Sequence, residues 1–265
     1  MPGEGSGLPA PGRENAGRIL LVSDLHLSEE RPETTERFFR FLAEEARDAR
    51  ALYVLGDLFE SWIGDDDLDA REGGALGRAV VDALAGLSQR GILVFLMHGN
   101  RDFLIGERLC RAAAATLLDD PTVVDLASVR TLLMHGDTLC TDDLDYQSWR
   151  ATARSEAWQA QYLARPVSER REIAGELRQK SRAMTRSKPP EIMDVNEAAV
   201  HAALRREGVR RLIHGHTHRP AMHELQVDGR ACQRWVLPDW YGTGGYMEVA
   251  GDTPRLVQFE NGAGD

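Results

Sequence analysis

The sequence predicts an α/β fold built on a largely parallel sheet, and three observations carry that prediction. Short apolar runs alternate with stretches of helical spacing through the first 115 residues. Each run is close to continuously apolar, as in strands covered on both faces. Each then stops abruptly in polar residues, and in βαβ folds the loops that gather beyond the strand ends carry the chemistry.

The elements follow in order. "RILLVSDLHL" at 18–27 reads as a buried strand that stops at Ser23 and Asp24, and 33–49 has the helical spacing of Phe38, Phe39, Leu42 and Ala46. "ALYVLGDLFE" is a second strand ending in Gly56 and Asp57, a helix spans about 74–90, and "ILVFLMHGN" is a third strand. After a helix near 104–115, the segments 121–126 and 130–135 form a hairpin whose second arm ends "LLMHGD". A long helical stretch over 142–186 precedes a helix at 194–207, the strand "RRLIHGHTHRP", and alternating patterns typical of antiparallel strands over 221–260. No internal repeat of solenoid length occurs.

Bulk properties narrow the function classes. With 265 residues and 42% apolar content the chain can bury a sizeable core, and its net charge of −10 argues against general nucleic-acid binding. Cys110, Cys140 and Cys232 form no CxxC pair, so neither a disulfide framework nor a thiolate zinc site is indicated, and a reducing cytoplasm fits. Residues 1–16, rich in Gly and Pro, read as a disordered tail rather than a signal peptide, leaving one domain over 17–260. No apolar stretch approaches the roughly 20 residues that span a bilayer, so any membrane contact is peripheral.

The strand ends collect Asp24 and His26, Asp57, Asn100, His135, and His216 with His218. Singly, each has an ordinary structural reading as a cap, a turn former or a core histidine. His214, His216 and His218 alternate, so in an extended chain they face one way. Together the residues are oxygen and nitrogen donors without sulfur, which suits two hard or borderline divalent ions, Mn²⁺ first, with Mg²⁺, Fe²⁺, Co²⁺ and Zn²⁺ open. Spacing alone does not choose Asn100 over His98.

The ordered blocks "DLHL", "GDLFE", "GNRD", "HGD" and "GHTH" resemble the calcineurin-like metallophosphoesterase superfamily. Within it, "YVLGDLFESWIGDD", "HGNRDFLIG", "MHGDTLCTDD", "IMDVN" and "IHGHTHRPA" are similar to the UDP-2,3-diacylglucosamine diphosphatases of lipid A synthesis, over about residues 18–260. The resemblance implies a four-layer α/β/β/α metallophosphoesterase sandwich with a helical insert at about 142–190 serving as a lid. It implies cleavage of a UDP-linked diphosphate to UMP and 2,3-diacylglucosamine 1-phosphate (lipid X). One metal would take Asp24, His26, Asp57 and His218, and the other Asp57, Asn100, His135 and His216, with Asp57 bridging. Catalysis would fall to Asn100, Arg101 and His216, and substrate contacts to these three with Asp143, Ser181, Thr185 and Lys188, Tyr146 forming an extra wall. His98 is then structural. Thr185 lies where a relative presents an amide side chain, and Arg101 where many superfamily members carry a histidine. A guanidinium stays charged and cannot protonate a leaving group, but it can neutralise charge growing on phosphate oxygens.

Between Arg150 and Lys188 ten basic residues face four acidic ones, so the rest of the chain carries −16. Trp149, Trp158, Tyr162, Leu163, Val167, Ile173, Leu177 and Met184 are interleaved with them. One reading is a helical pair packed on the core with a solvated basic face. The other is a lid with an apolar groove for acyl chains and a basic rim for anionic head groups, which would place the protein, as a peripheral monomer, on the cytoplasmic side of the bacterial inner membrane. Asp65, Asp66, Asp67 and Asp69 read as a solvated loop, Asp194 and Asn196 as caps of the next helix, and His201 and His223 as residues without partners. Two rival functions stand beside the lipid hydrolase: a phosphodiesterase for another nucleotide diphosphate, and a non-catalytic scaffold.

Overall fold

Alternation within the strands sets the layering. In a computed structural model describing residues 17–71, 73–189, 192–251 and 253–259, strand β1 (Ile19–Val22) turns Leu20 and Val22 to one core and Ile19 and Leu21 to another. The tail expected at 1–16 lies outside the described residues. β2 (Ala51–Leu55) does the same, with Leu52 and Val54 on the first side and Ala51, Tyr53 and Leu55 on the second. These strands, with β3 (Leu93–Met97) and β4 (Thr116–Leu118), pair in parallel. Two antiparallel strands, β10 (Gly245–Ala250) and β11 (Thr253–Gln258), complete a sheet of order β11-β10-β1-β2-β3-β4.

A second sheet, of order β5-β6-β7-β9-β8, contains β5 (Thr122–Leu126), β6 (Val129–Leu133), β7 (Arg211–His214), β8 (Ala221–Val227) and β9 (Arg230–Val236). Leu133, Ile213 and Trp235 of this sheet pack against Leu21, Leu55 and Met247 of the first, while Leu132, Leu212 and Cys232 turn the other way. The expected cover on both faces is thus made by helices on one side and a second sheet on the other. Helices α1 (Pro32–Glu44), α2 (Ala75–Gln89) and α3 (Glu107–Ala112) cover the first sheet through Phe38, Phe41, Leu42, Val80, Leu84 and Leu109. The second is covered by α7 (Glu197–Glu207) through Val200, Ala203 and Leu204. The order is α/β/β/α. Each fully buried Leu of these layers contributes about 1.5–3 kcal/mol relative to exposure.

The long helical stretch over 142–186 is three helices: α4 (Leu144–Ala153), α5 (Glu156–Leu163) and α6 (Val167–Ser187). Ser155 caps α5 by accepting the Trp158 amide at 3.3 Å, and Pro166 precedes α6. The insert joins the first core through Trp158, Tyr162, Val167 and Ile173. Its basic residues are largely engaged within the protein: Arg170 with Asp66, Arg171 with Asp67, Arg178 with Glu60, Arg150 with Asp137 and Lys188 with Asp143.

This corrects two expectations. Asp66 and Asp67 belong to a dock for α6 rather than to a solvated loop, and much of the basic charge faces inward. Asp65 is equally structural, accepting from the Trp62 indole and from the Gly106 and Leu109 amides at 2.9–3.0 Å, and so capping α3 from a distance. Of the two expected caps of α7, Asn196 accepts the Ala199 amide, whereas Asp194 pairs with Arg219. His201 has a neighbour after all, Glu197 at 3.7 Å on the same helix face.

Candidate metal centre

The loops that follow β1, β2, β3, β6 and β7 bring all seven expected donors to one point. On one side, His218 Nε2 lies 3.4 Å from Asp24 Oδ1, and His26 Nε2 lies 4.0 Å from that oxygen and 3.6 Å from Asp57 Oδ2. On the other, His135 Nε2 is 3.8 Å from Asp57 Oδ1, and Asn100 Oδ1 stands 3.0 Å from both His135 Nε2 and His216 Nδ1. The two oxygens of Asp57 therefore face different groups of donors.

Backbone geometry marks the same residues. Asp24, His26, Asp57, His216 and His218 all have φ between 51 and 67°, the left-handed region that non-glycine residues enter at a cost. The alternation of the histidines is not what aims them: β7 ends at His214, and His216 and His218 are set by left-handed turns. His214 is buried apart from the cluster, 3.1 Å from Arg234. Gly99 serves through absence of bulk, since a Cβ there would lie 2.1 Å from Asp57 Oδ1. His98 Nε2 meets the Ile105 carbonyl at 2.7 Å, a structural contact.

The donors suit divalent cations. Asp24 and Asp57 are buried, and among the described residues Asp24 Oδ1 and His26 Nε2 make no hydrogen bond. His135 Nδ1 faces the Leu55 carbonyl at 2.9 Å, which directs its second nitrogen at the Asn100 oxygen. A neutral imidazole in that tautomer would set acceptor against acceptor, an arrangement that needs a proton or a cation between them. Electrostatics point the same way. Burial works to lower His135, yet the carboxylates of Asp57, Asp24 and Asp137 outweigh it and push the imidazole up to about 9. Burial holds His216 down to about 3 and His26 to about 4, leaving both neutral and able to ligate. Asp24 stays well below the usual carboxylate range, because His218, His135 and His26 overcome its burial, whereas burial raises Asp57.

Residues 17–220 match the family model described as calcineurin-like phosphoesterase. The chain belongs to the calcineurin-like phosphoesterase family. Among curated relatives, UDP-2,3-diacylglucosamine hydrolase of Aromatoleum aromaticum is 49% identical over 90% of this chain and 95% of its own length. The protein of the same name from Chromohalobacter salexigens is 51% identical over 91% of this chain and 96% of its own.

Beside the donors, this phosphoesterase has a cleft of about 340 Å³ between the insert and the core. Trp62, Phe103, Leu104, Trp158, Tyr162 and Leu177 line its apolar length. Its polar residues include Asn100, Arg101, Asp143, Tyr146, Ser181 and Lys188, so five of the expected substrate contacts share this space. Arg101 donates to Ser181 Oγ at 3.3 Å, and Lys188 Nζ pairs with Asp143 at 2.6 Å. His216 meets the cleft through Asn100 and lies under Tyr146, ring centroids 5.9 Å apart. Thr185 belongs to α6, and its side chain lies outside the described residues.

Sequence reasoning passed over two buried acids. Asp102 accepts from the Leu58 and Gly99 amides at 2.7 and 2.8 Å, tying the Asp57 loop to the Asn100 loop. Glu60 stands 2.9 Å from His26 Nδ1. The acids fall inside "GNRD" and "GDLFE", two and three residues from candidate donors, and that proximity was the available signal.

Proposed function

We propose that this chain hydrolyses the diphosphate bond of UDP-2,3-diacylglucosamine, with water, to UMP and 2,3-diacylglucosamine 1-phosphate, as a step of lipid A synthesis. The observation that carries the reading is the double membership of Asn100. Its amide oxygen sits among the donor imidazoles, and the residue also lines the apolar cleft. A substrate with its phosphates at Asn100 has room for acyl chains along Trp158, Tyr162 and Leu177.

Asp24, His26, Asp57 and His218 would hold one divalent ion, and Asp57, Asn100, His135 and His216 the other, with Mn²⁺ preferred by this oxygen and nitrogen set. Such a pair supplies charge neutralisation at phosphoryl oxygens and acidifies water. Arg101 neutralises charge that grows on the phosphates and is steadied by Ser181. Lys188 and Asp143, already paired, meet the polar head of the substrate with Ser181 and Thr185. The leaving group is a phosphate monoester, which departs without an acid at the position of Arg101.

Access to a bilayer substrate comes from the insert. No helix among the described residues is long and apolar enough to cross a membrane. Leu144 is 75% exposed, and Trp149 and Leu163 are about 40% exposed, apolar groups suited to a peripheral monomer on the cytoplasmic side of the bacterial inner membrane. The test is product analysis with the acylated UDP-sugar and Mn²⁺ in oxygen-18 water. UMP and the acylated sugar phosphate are expected, with label in one of them. Equal turnover of unacylated nucleotide diphosphates would contradict the assignment.

A further inference from the structure

We infer that Glu60 is a positioning residue that couples docking of the helical insert to assembly of the metal centre, so that α6 and the bound ions stabilise one another. The inference rests on the dinuclear reading of the seven donors and adds a regulatory link to it. The two carboxylate oxygens of Glu60 face different parts of the protein. Oε2 stands 2.9 Å from His26 Nδ1, a charge contact short of hydrogen-bond alignment, and accepts the Tyr241 hydroxyl at 3.0 Å. Tyr241 in turn stacks on the His26 ring, centroids 4.7 Å apart. Oε1 pairs with Arg178 of α6, and Arg182, one turn on, is 3.7 Å away. Arg178 also donates to the Glu60 backbone oxygen at 2.8 Å, so the helix grips this residue by main chain and side chain together.

The coupling follows from burial and charge. An imidazole that ligates through one nitrogen is oriented by what the other meets, and loss of such a partner lowers metal affinity about 10–100-fold. Glu60 is 7% exposed and approaches the same His26 ring as Asp57, at the other nitrogen, so it needs a compensating cation to remain charged there. Arg178, with Arg182, supplies it from α6 at Oε1, while Arg31, outside the insert, stands 3.7 Å from Oε2 and gives part of the compensation that does not depend on docking. On the far side of the centre a second contact has the same sense: Arg154 of the insert donates to the Gly99 carbonyl at 2.8 Å, next to Asn100. Coupling of this kind is reciprocal. Whatever factor docking of α6 adds to metal affinity, metal binding adds to docking.

The experiment compares the full-length chain with E60Q, R178M and the surface control D69N. Co²⁺ is titrated into each chelated protein and followed by its visible absorption, while hydrogen exchange reports on the α6 amides with and without metal. The wild type is expected to bind two ions, and chelation to speed exchange in α6 about tenfold. E60Q and R178M should bind about tenfold more weakly, with α6 exchanging in the loaded protein at nearly the apo rate, whereas D69N should match the wild type. Affinity within twofold of wild type in folded R178M overturns the coupling. Should R178M not fold, unchanged affinity and unchanged exchange in the isosteric E60Q overturn it equally. A wild-type chain that binds no ions removes the dinuclear reading itself, and the inference with it.

Discussion

Asp102 holds the amide of Leu58 at 2.7 Å through a carboxylate that also accepts the Gly99 amide at 2.8 Å. Since Leu58 follows Asp57 and Gly99 precedes Asn100, one buried side chain fixes the spacing of two candidate metal ligands. In Asp102→Asn an amide N–H would face a backbone N–H, leaving at least one donor unpaired inside the protein. A loss of about 2 kcal/mol in urea unfolding is expected, together with weaker metal binding. Unchanged stability would show that the loops are fixed by other means.

Asp65 caps α3 from another part of the chain, so its removal strands two backbone amides and the Trp62 indole. Asp65→Ala should cost about 1–2 kcal/mol. Asp69, whose partner Arg108 is exposed like itself, should be replaceable by Asn with no measurable loss. Paired denaturation curves check both, and similar losses would mean that the acidic run is uniform after all.

How far these roles were legible depends on their range in sequence. The candidate donors stood out because they follow the ends of apolar runs, a pattern visible within a few residues, although only the family resemblance separated Asn100 from His98. Asp66 and Asp67 did not, because the arginines they meet lie 104 residues away on α6, and local composition describes such acids only as polar. His216 and His218 were placed for a reason that the fold replaces: alternation presumes an extended chain, but β7 ends at His214 and left-handed turns aim the rings. β4, only three residues long, carries too little pattern to be seen. The division of the insert was written at Ser155 and Pro166, both helix-boundary residues that continuous periodicity obscured.

Arg101 tests the chemistry through its guanidinium, because its backbone amide, which donates to Asp57 Oδ1 at 2.8 Å, is kept in any substitution but proline. Arg101→Ala should lower kcat/KM for the acylated diphosphate by about 10²-fold, the scale of losing one preorganised charge contact. Arg101→His should bring no rate gain over wild type, because the leaving phosphate needs little protonation. A clear gain in a steady-state assay would show that proton donation limits the reaction.

Stability of the chelated protein should fall as pH drops from 7 to 5. Burial lowers His26 and His214 to about 4 and His216 to about 3, against 6.5 for an ordinary imidazole. The unfolded chain therefore takes up protons that the folded chain refuses, and stability present above pH 6.5 is lost below it. Asp120, raised to about 6 by burial, opposes this with a single carboxyl, as does the raised Asp57. His135, pushed up to about 9, also opposes it slightly: its folded form already holds the proton that the unfolded form gains only near 6.5, so its contribution rises a little from pH 7 to 6.5 and is fully present below. Urea midpoints across this range check the sign, and a flat profile would contradict it.

The most direct measurement is metal content, read as anomalous scattering at the manganese edge from crystals of the full chain grown with Mn²⁺. Two peaks are expected, one on each side of Asp57, with Asp24, His26 and His218 around the first and Asn100, His135 and His216 around the second. Crystals with neither peak, under conditions where the protein turns over its substrate, would contradict the account at its root.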